Sequence, residues 1–265
     1  MTTGDKKGGQ KNQSVQRALH ILRYLADRGE PAGVREVARH FRYSPSIAQR
    51  LLSTMAEEGF VEQTGETARY IIGHSAFQVG STFLRKNDLL SAATPELRRL
   101  SEHGITGFLG ILRNDYVIYM GAMQGNGPIA VKSEIGTSTL PHTTALGKAL
   151  IADLSEAEVR AILSKPLKKV TEKSITSIDV LLDQLKEVRR VGYAINDQEN
   201  RDGVYSVGSP VRDSNNATVG AISGAVAVGS FDENGKADLI KMVVGASRRA
   251  SQKLGASIDI KGEEA

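Results

Sequence analysis

Residues 14–72 carry a series of apolar runs whose period changes in a fixed order, and few folds accept that order. Val15, Ala18, Leu19, Ile21, Leu22 and Leu25 recur at helical spacing, with Ser14 as the expected N-cap and Gly29 and Pro31 as the stop. A shorter run follows at Val34, Val37, Ala38 and Phe41, and it breaks at Arg42-Tyr43-Ser44. A third run begins with Ser44 as cap and Pro45 in the first turn, continues through Ile47, Leu51, Leu52 and Met55, and stops at Gly59. Phe60–Gln63 and Ala68–Ile72 then read as two short strands about the turn Thr64-Gly65-Glu66-Thr67. Helix, short helix, break, helix and hairpin make a winged helix-turn-helix over residues 13–74.

Charge adds a partner to that fold. Residues 1–50 hold ten basic side chains against four acids, an excess larger than the +4 of the whole chain. A basic end on a near-neutral body points to a polyanion, here double-stranded operator DNA. The start of the third helix offers Ser44, Pro45, Ser46, Gln49 and Arg50. Hydroxyls and free helix amides suit phosphates, while Gln and Arg pair with base edges. Arg69 and Thr67 in the hairpin are placed to reach a neighbouring backbone or minor groove. A plainer alternative stands beside each: Arg50 pairs with Glu57 or Glu58, and Gln49 is simply solvated.

Residues 1–12 are polar and Gly/Lys-rich and are expected to be disordered. Residues 75–90 read as a linker helix, with Pro95 marking the break before a helix of the next domain. An apolar linker helix implies a homodimer, which also suits two DNA half-sites. From about residue 105 strands and helices mix without strict alternation. Strands are expected at 108–112, 116–120, 129–131, 193–195, 204–211 and 218–228. Helices are expected at 143–152, 154–164, 177–191 and 233–254. The fold class is α+β, with an antiparallel sheet in a second domain spanning 91–258 and a tail at 259–265.

Other chemistry is excluded or unmarked. The chain has no cysteine, so disulfides and thiolate zinc sites are excluded. No apolar run approaches the roughly 20 residues of a membrane helix, and no signal peptide opens the chain, so no membrane partner and a cytoplasmic location are expected. Gly147-Lys148 fails as a phosphate-binding loop because His142 and Ala149 stand where Gly and Ser/Thr are needed. No dinucleotide fingerprint, nucleophile elbow or histidine ligand spacing is present, so neither a cofactor nor a catalytic residue is expected.

The segments SVQRALHILRYLA (14–26), SPSIAQRLLSTMAEEGFV (44–61) and RYIIG (69–73) resemble the DNA-binding domain of IclR-type transcriptional regulators. LPHTTALGKALIA (140–152), VRRVGYAINDQENRDGVYSVGSPVRD (188–213) and VGAISGAVAVG (219–229) resemble that family's effector domain. The resemblance implies a GAF-like effector domain, dimers paired into tetramers, and operator binding, by a repressor, gated by a small molecule. It places the effector at His142, Thr143, Asn196, Val204, Ser206 and Ser223, beside Ile129 and Leu140. Relatives that bind small carboxylates often carry Asp, Cys and Ser where this chain has Asn196, Ser206 and Ala225. Those departures argue against a small 2-oxo acid and for a larger organic or aromatic acid. Two other readings fit the residues less well: an enzyme with a helical dimerisation module, and a structural DNA binder without a ligand.

Overall fold

The computed structural model describes residues 12–65, 67–85, 88–126, 134–164, 166–230 and 232–257. The chain divides into two compact units, residues 1–86 and 87–265. The readings made for residues 1–11, for the strand at 129–131 with Ile129, and for the tail at 259–265 lie outside the described residues.

The first unit holds α1 (Gln13–Arg28), α2 (Val34–Phe41), α3 (Pro45–Glu57), β1 (Val61–Gln63), β2 (Tyr70–Ile72) and α4 (His74–Arg85). The cap of α1 is Asn12 and not Ser14: its side chain accepts from the backbone N–H of Ser14 and Val15. Asn at this position caps as well as Ser does, and the helix starts two residues earlier. Between α2 and α3, Arg42 adopts a left-handed conformation at φ 56°, and its N–H closes back on α2. That single residue makes the sharp turn of the helix-turn-helix. Ile21, Leu25, Val37, Ala48, Leu52 and Val61 meet in one core. Burying such side chains contributes about 1.5–3 kcal/mol each for the larger ones. β1 and β2 pair antiparallel, and Ala32 bridges to Tyr70 on the other edge.

The second unit opens with α5 (Asp88–Glu102). The expected break at Pro95 is therefore misplaced: α4 ends at Arg85, and Pro95 lies inside α5. The buried face of α5, with Leu89, Ala92, Ala93, Leu97 and Leu100, holds the helix through the proline. The strands are β3 (Thr106–Arg113), β4 (Tyr116–Met123), β5 (Ser138–Thr139), β6 (Ala194–Asp197), β7 (Val204–Arg212) and β8 (Thr218–Ala227). They form one antiparallel sheet in the order β5-β4-β3-β8-β7-β6. Both faces are covered. Val207, Ile222 and Val226 face a core shared with α5 and with α9 (Glu233–Lys253). Phe108, Ala221 and Ala225 face the core of α6 (Ala145–Ile151), α7 (Glu156–Ile162) and α8 (Ile178–Val191).

α6 is pressed unusually close to its neighbours. A Cβ on Gly147 would lie 2.3 Å from the Pro141 carbonyl oxygen, and one on Gly208 of β7 would lie 2.4 Å from that of Ala145. Gly147 thus serves backbone packing, which accounts for its place beside Lys148 without any phosphate site.

Candidate functional site

In α3, Ala48, Leu52 and Met55 are buried, which leaves Pro45, Ser46, Gln49 and Arg50 exposed on the other side. The Ser44 hydroxyl accepts from Ile47 N–H at 3.3 Å and contacts Ser46 Oγ at 3.0 Å. Gln49 Nε2 donates to Ser53 Oγ at 3.0 Å and to Tyr70 OH at 3.3 Å, which ties the helix to the wing. Arg50 forms no ion pair with Glu57 or Glu58, and its guanidinium has no partner among the described residues.

Arg69 is placed differently from the expectation of a free, groove-reaching cation. Its Nη2 donates to both oxygens of Glu36 at 2.7 and 2.8 Å, and its Nε donates to the Pro31 carbonyl at 3.0 Å. Arg28 adds a second contact to Glu36 at 3.3 Å. The Arg69 hydrogen bonds hold the Glu36 carboxyl below its usual range. Through Nη2 on Glu36 and Nε on Pro31, Arg69 braces the wing against α2.

In the second unit the sheet itself brings candidate residues together. Asn196 on β6, Ser206 on β7 and Ala225 on β8 stand in direct register, and Ser223 faces Phe108 of β3. Together with Val204 they line a cavity of about 50 Å³, joined by Tyr119, Thr144, Leu146, Asn200 and Arg201. Asn196 Oδ1 accepts from Glu199 N–H at 2.8 Å, so its amide N–H groups are the donors it can offer the cavity.

His142 and Thr143, expected at the effector site, are not among the residues that line this cavity. Thr143 stands behind the lining, its hydroxyl donating to Asn200 Oδ1 at 3.2 Å and to the Leu140 carbonyl at 3.1 Å. His142 turns the other way, with Nε2 donating to the Lys168 carbonyl at 3.1 Å and Nδ1 buried without a partner. Burial pushes its imidazole below the usual histidine range; the carbonyl opposes this and the charge of Lys148 adds to it. The residue of that loop that does reach the cavity is Thr144, which also caps α6. Asn200 and Arg201 were missed because they follow strand β6 in a turn, where spacing carries no signal. Phe108 and Tyr119 had one: both belong to the apolar runs of two paired strands, and their rings pack 5.4 Å apart.

Behind the rim lies a buried ion pair. Lys148 Nζ donates to Glu199 Oε1 at 2.5 Å, to the Ile195 carbonyl at 3.0 Å and to Gln184 Oε1 at 3.1 Å. Burial pushes the Glu199 carboxyl up and the Lys148 ammonium down, and their pairing pulls each part of the way back. Glu199 Oε2 is buried without a hydrogen-bond partner. Among the described residues no cluster of His, Asp and Glu is suited to hold a metal ion.

A helix-turn-helix unit with a polar reading helix, joined in one chain to an α+β unit of this topology, defines a bacterial helix-turn-helix transcriptional regulator. The chain belongs to the IclR family: residues 14–65 match the IclR helix-turn-helix domain and residues 81–252 match the bacterial transcriptional regulator IclR C-terminal domain. It is 31% identical to the HTH-type transcriptional regulator KdgR of Dickeya chrysanthemi over 91% of this chain and 80% of that one. It is also 31% identical to the acetate operon repressor of Salmonella typhimurium, over 92% and 90% of the two chains. An IclR homologue from Microbacterium hydrocarbonoxydans, solved with 4-hydroxybenzoate, shares the fold at a TM-score of 0.81, with 19% identity over 92% of this chain and 100% of that one. These relatives are transcriptional regulators, so the chain is a DNA-binding regulator and not an enzyme.

Proposed function

We propose that this regulator is a repressor whose hold on operator DNA is released or strengthened by a small organic acid bound at the cavity on β6, β7 and β8. The observation that carries the reading is the lining itself. Short hydroxyls and amides from Asn196, Asn200, Ser206 and Ser223 share the cavity wall with Arg201 and the rings of Phe108 and Tyr119. A carboxylate suits the guanidinium and the N–H donors, and an aromatic body suits the rings. The Microbacterium relative's 4-hydroxybenzoate supports an aromatic acid. A cavity of about 50 Å³ has room for one or two waters. The ligand therefore binds a more open form, and that preference for one form over another is what lets it change DNA affinity.

The reading assigns DNA contact to the start of α3, with Ser44, Pro45, Ser46, Gln49 and Arg50, and leaves Arg69 as a brace. It assigns dimer formation, in pairs or in fours, to α4, where Phe77 is 75% and Val79 63% exposed. A cytoplasmic protein follows from this role; among the described residues no helix is long and apolar enough to cross a membrane. The test is a gel-shift with DNA from upstream of the chain's own coding region, titrated with 4-hydroxybenzoate and a panel of aliphatic acids. A ligand-dependent change in operator affinity is expected. Operator binding indifferent to every acid tried, together with no binding of any of them by calorimetry, sinks the gated reading.

A further inference from the structure

On the opposite face of the sheet from that cavity, Glu96 lies on α5 with its side chain 1% exposed. A carboxylate is costly there unless its charge is met. Arg99 Nη1 donates to its two oxygens at 2.9 and 3.0 Å, Arg249 Nε reaches across from α9 at 2.7 Å, and Lys253 Nζ lies 4.0 Å away. Neither arginine is used up by this. Each engages Glu96 through a single nitrogen, and the two side chains remain 55% and 45% exposed.

Both arginines, with Leu100, His103, Lys241 and Met242, line a cavity of about 290 Å³ between α5 and α9. Among the described residues the acids paired with its cations are Glu96 beneath the arginines, and Asp238 at 3.9 Å from Lys241. His103 Nδ1 donates to the Arg99 carbonyl at 2.8 Å, which fixes that ring at the cavity wall.

We propose that this cavity is a second ligand site, separate from the one on β6–β8, that takes a small aliphatic dicarboxylate. The chemistry follows from the arrangement. A guanidinium presents several N–H donors in a rigid fork that matches a carboxylate. Two of them are held from below by one buried carboxylate, so part of their rotamer freedom is lost before a ligand arrives, and less is lost on binding. Their remaining donors, with the Lys241 ammonium, give two separate points of attachment for two carboxylates. Leu100 and Met242 supply an apolar wall for a short carbon chain between them. Ordinary solvated surface arginines lack such a buried tether.

The experiment uses the full-length chain with ¹³C-methyl methionine. Met242 is the reporter, since among the described methionines it alone lines this cavity. Succinate is titrated in, with sodium chloride at matched ionic strength as the control. A saturable shift of the Met242 methyl signal with succinate and not with chloride is expected. Arg99→Gln and Arg249→Gln should each weaken that titration about tenfold, the loss of one charge-assisted hydrogen-bonded partner. Each variant leaves Glu96 the other arginine and Lys253 as counter-charges, and circular dichroism checks that it folds. A Met242 signal that follows chloride as well as succinate overturns the site. So does a succinate titration unchanged in both variants.

Discussion

Lys148 has three acceptors around one ammonium, two of them on the 195–199 segment that carries Asn196 into the cavity. Lys148→Met keeps the stem but leaves the Glu199 carboxylate buried without a counter-charge. Removing one member of a buried pair costs about 3–5 kcal/mol. Urea unfolding should show that loss, and adding Glu199→Gln should recover much of it. Recovery of nothing by the double variant means the lysine stem, not its charge, supports the fold. His142 makes a prediction about pH. Its folded-state value is depressed, so the unfolded chain binds the proton first. Its contribution is present above the unfolded value of 6.5 and is lost as pH falls below it. Between pH 7.5 and 5.5 the wild type should lose more stability than His142→Gln; parallel losses remove His142 as the cause. Neither behaviour was legible in the sequence. Lys148 read as half of a failed phosphate loop and His142 as a ligand contact, because the partners of both lie 26 to 51 residues away along the chain.

Elements were legible where a local signal closed them. The start of α3 has a serine cap, a proline in its first turn and an apolar face of helical period, and it begins at the residue these predict. The start of α8 at Ile178 behind Ser177 follows the same logic. The α4–α5 break failed because Pro95 was given its usual local meaning, while packing of α5 on the sheet overrides it. Two predictions belong at this scale. Arg50→Ala on α3 should weaken specific operator binding by about 1–3 kcal/mol if it reads a base edge. Anisotropy titrations check this, and unchanged affinity in a folded variant takes Arg50 off the reading surface. Gly208→Ala puts a methyl where the Ala145 carbonyl already sits, and an overpacked contact costs about 1–3 kcal/mol. Thermal unfolding of the variant should show that loss; an unchanged midpoint means that α6 shifts aside freely.

For the molecule as a whole, the sequence carried the class through charge placement and the order of elements, and the family through its two motif blocks. It did not carry the cavity's full lining, because a cavity is made by register between strands distant in the chain. A test of gating belongs here. Asn196→Ala should weaken the response of operator binding to ligand and leave ligand-free binding nearly intact, since it lies in the other unit. Ligand-free binding should in turn fall steeply between low and physiological salt, as phosphate contacts release counterions. A variant that loses DNA binding without ligand, or a flat salt response, contradicts the respective half of the scheme.

The alignment of Asn196, Ser206 and Ala225 across three neighbouring strands has a consequence for how such regulators diverge. Backbone hydrogen bonds between the strands hold that rung whatever side chains stand on it. One exchange among Ala, Ser, Asn and Asp rewrites a single hydrogen-bonding character and leaves the others in place. A gene duplicate could thus acquire a new inducer in one or two codon changes, with the operator-reading half inherited untouched.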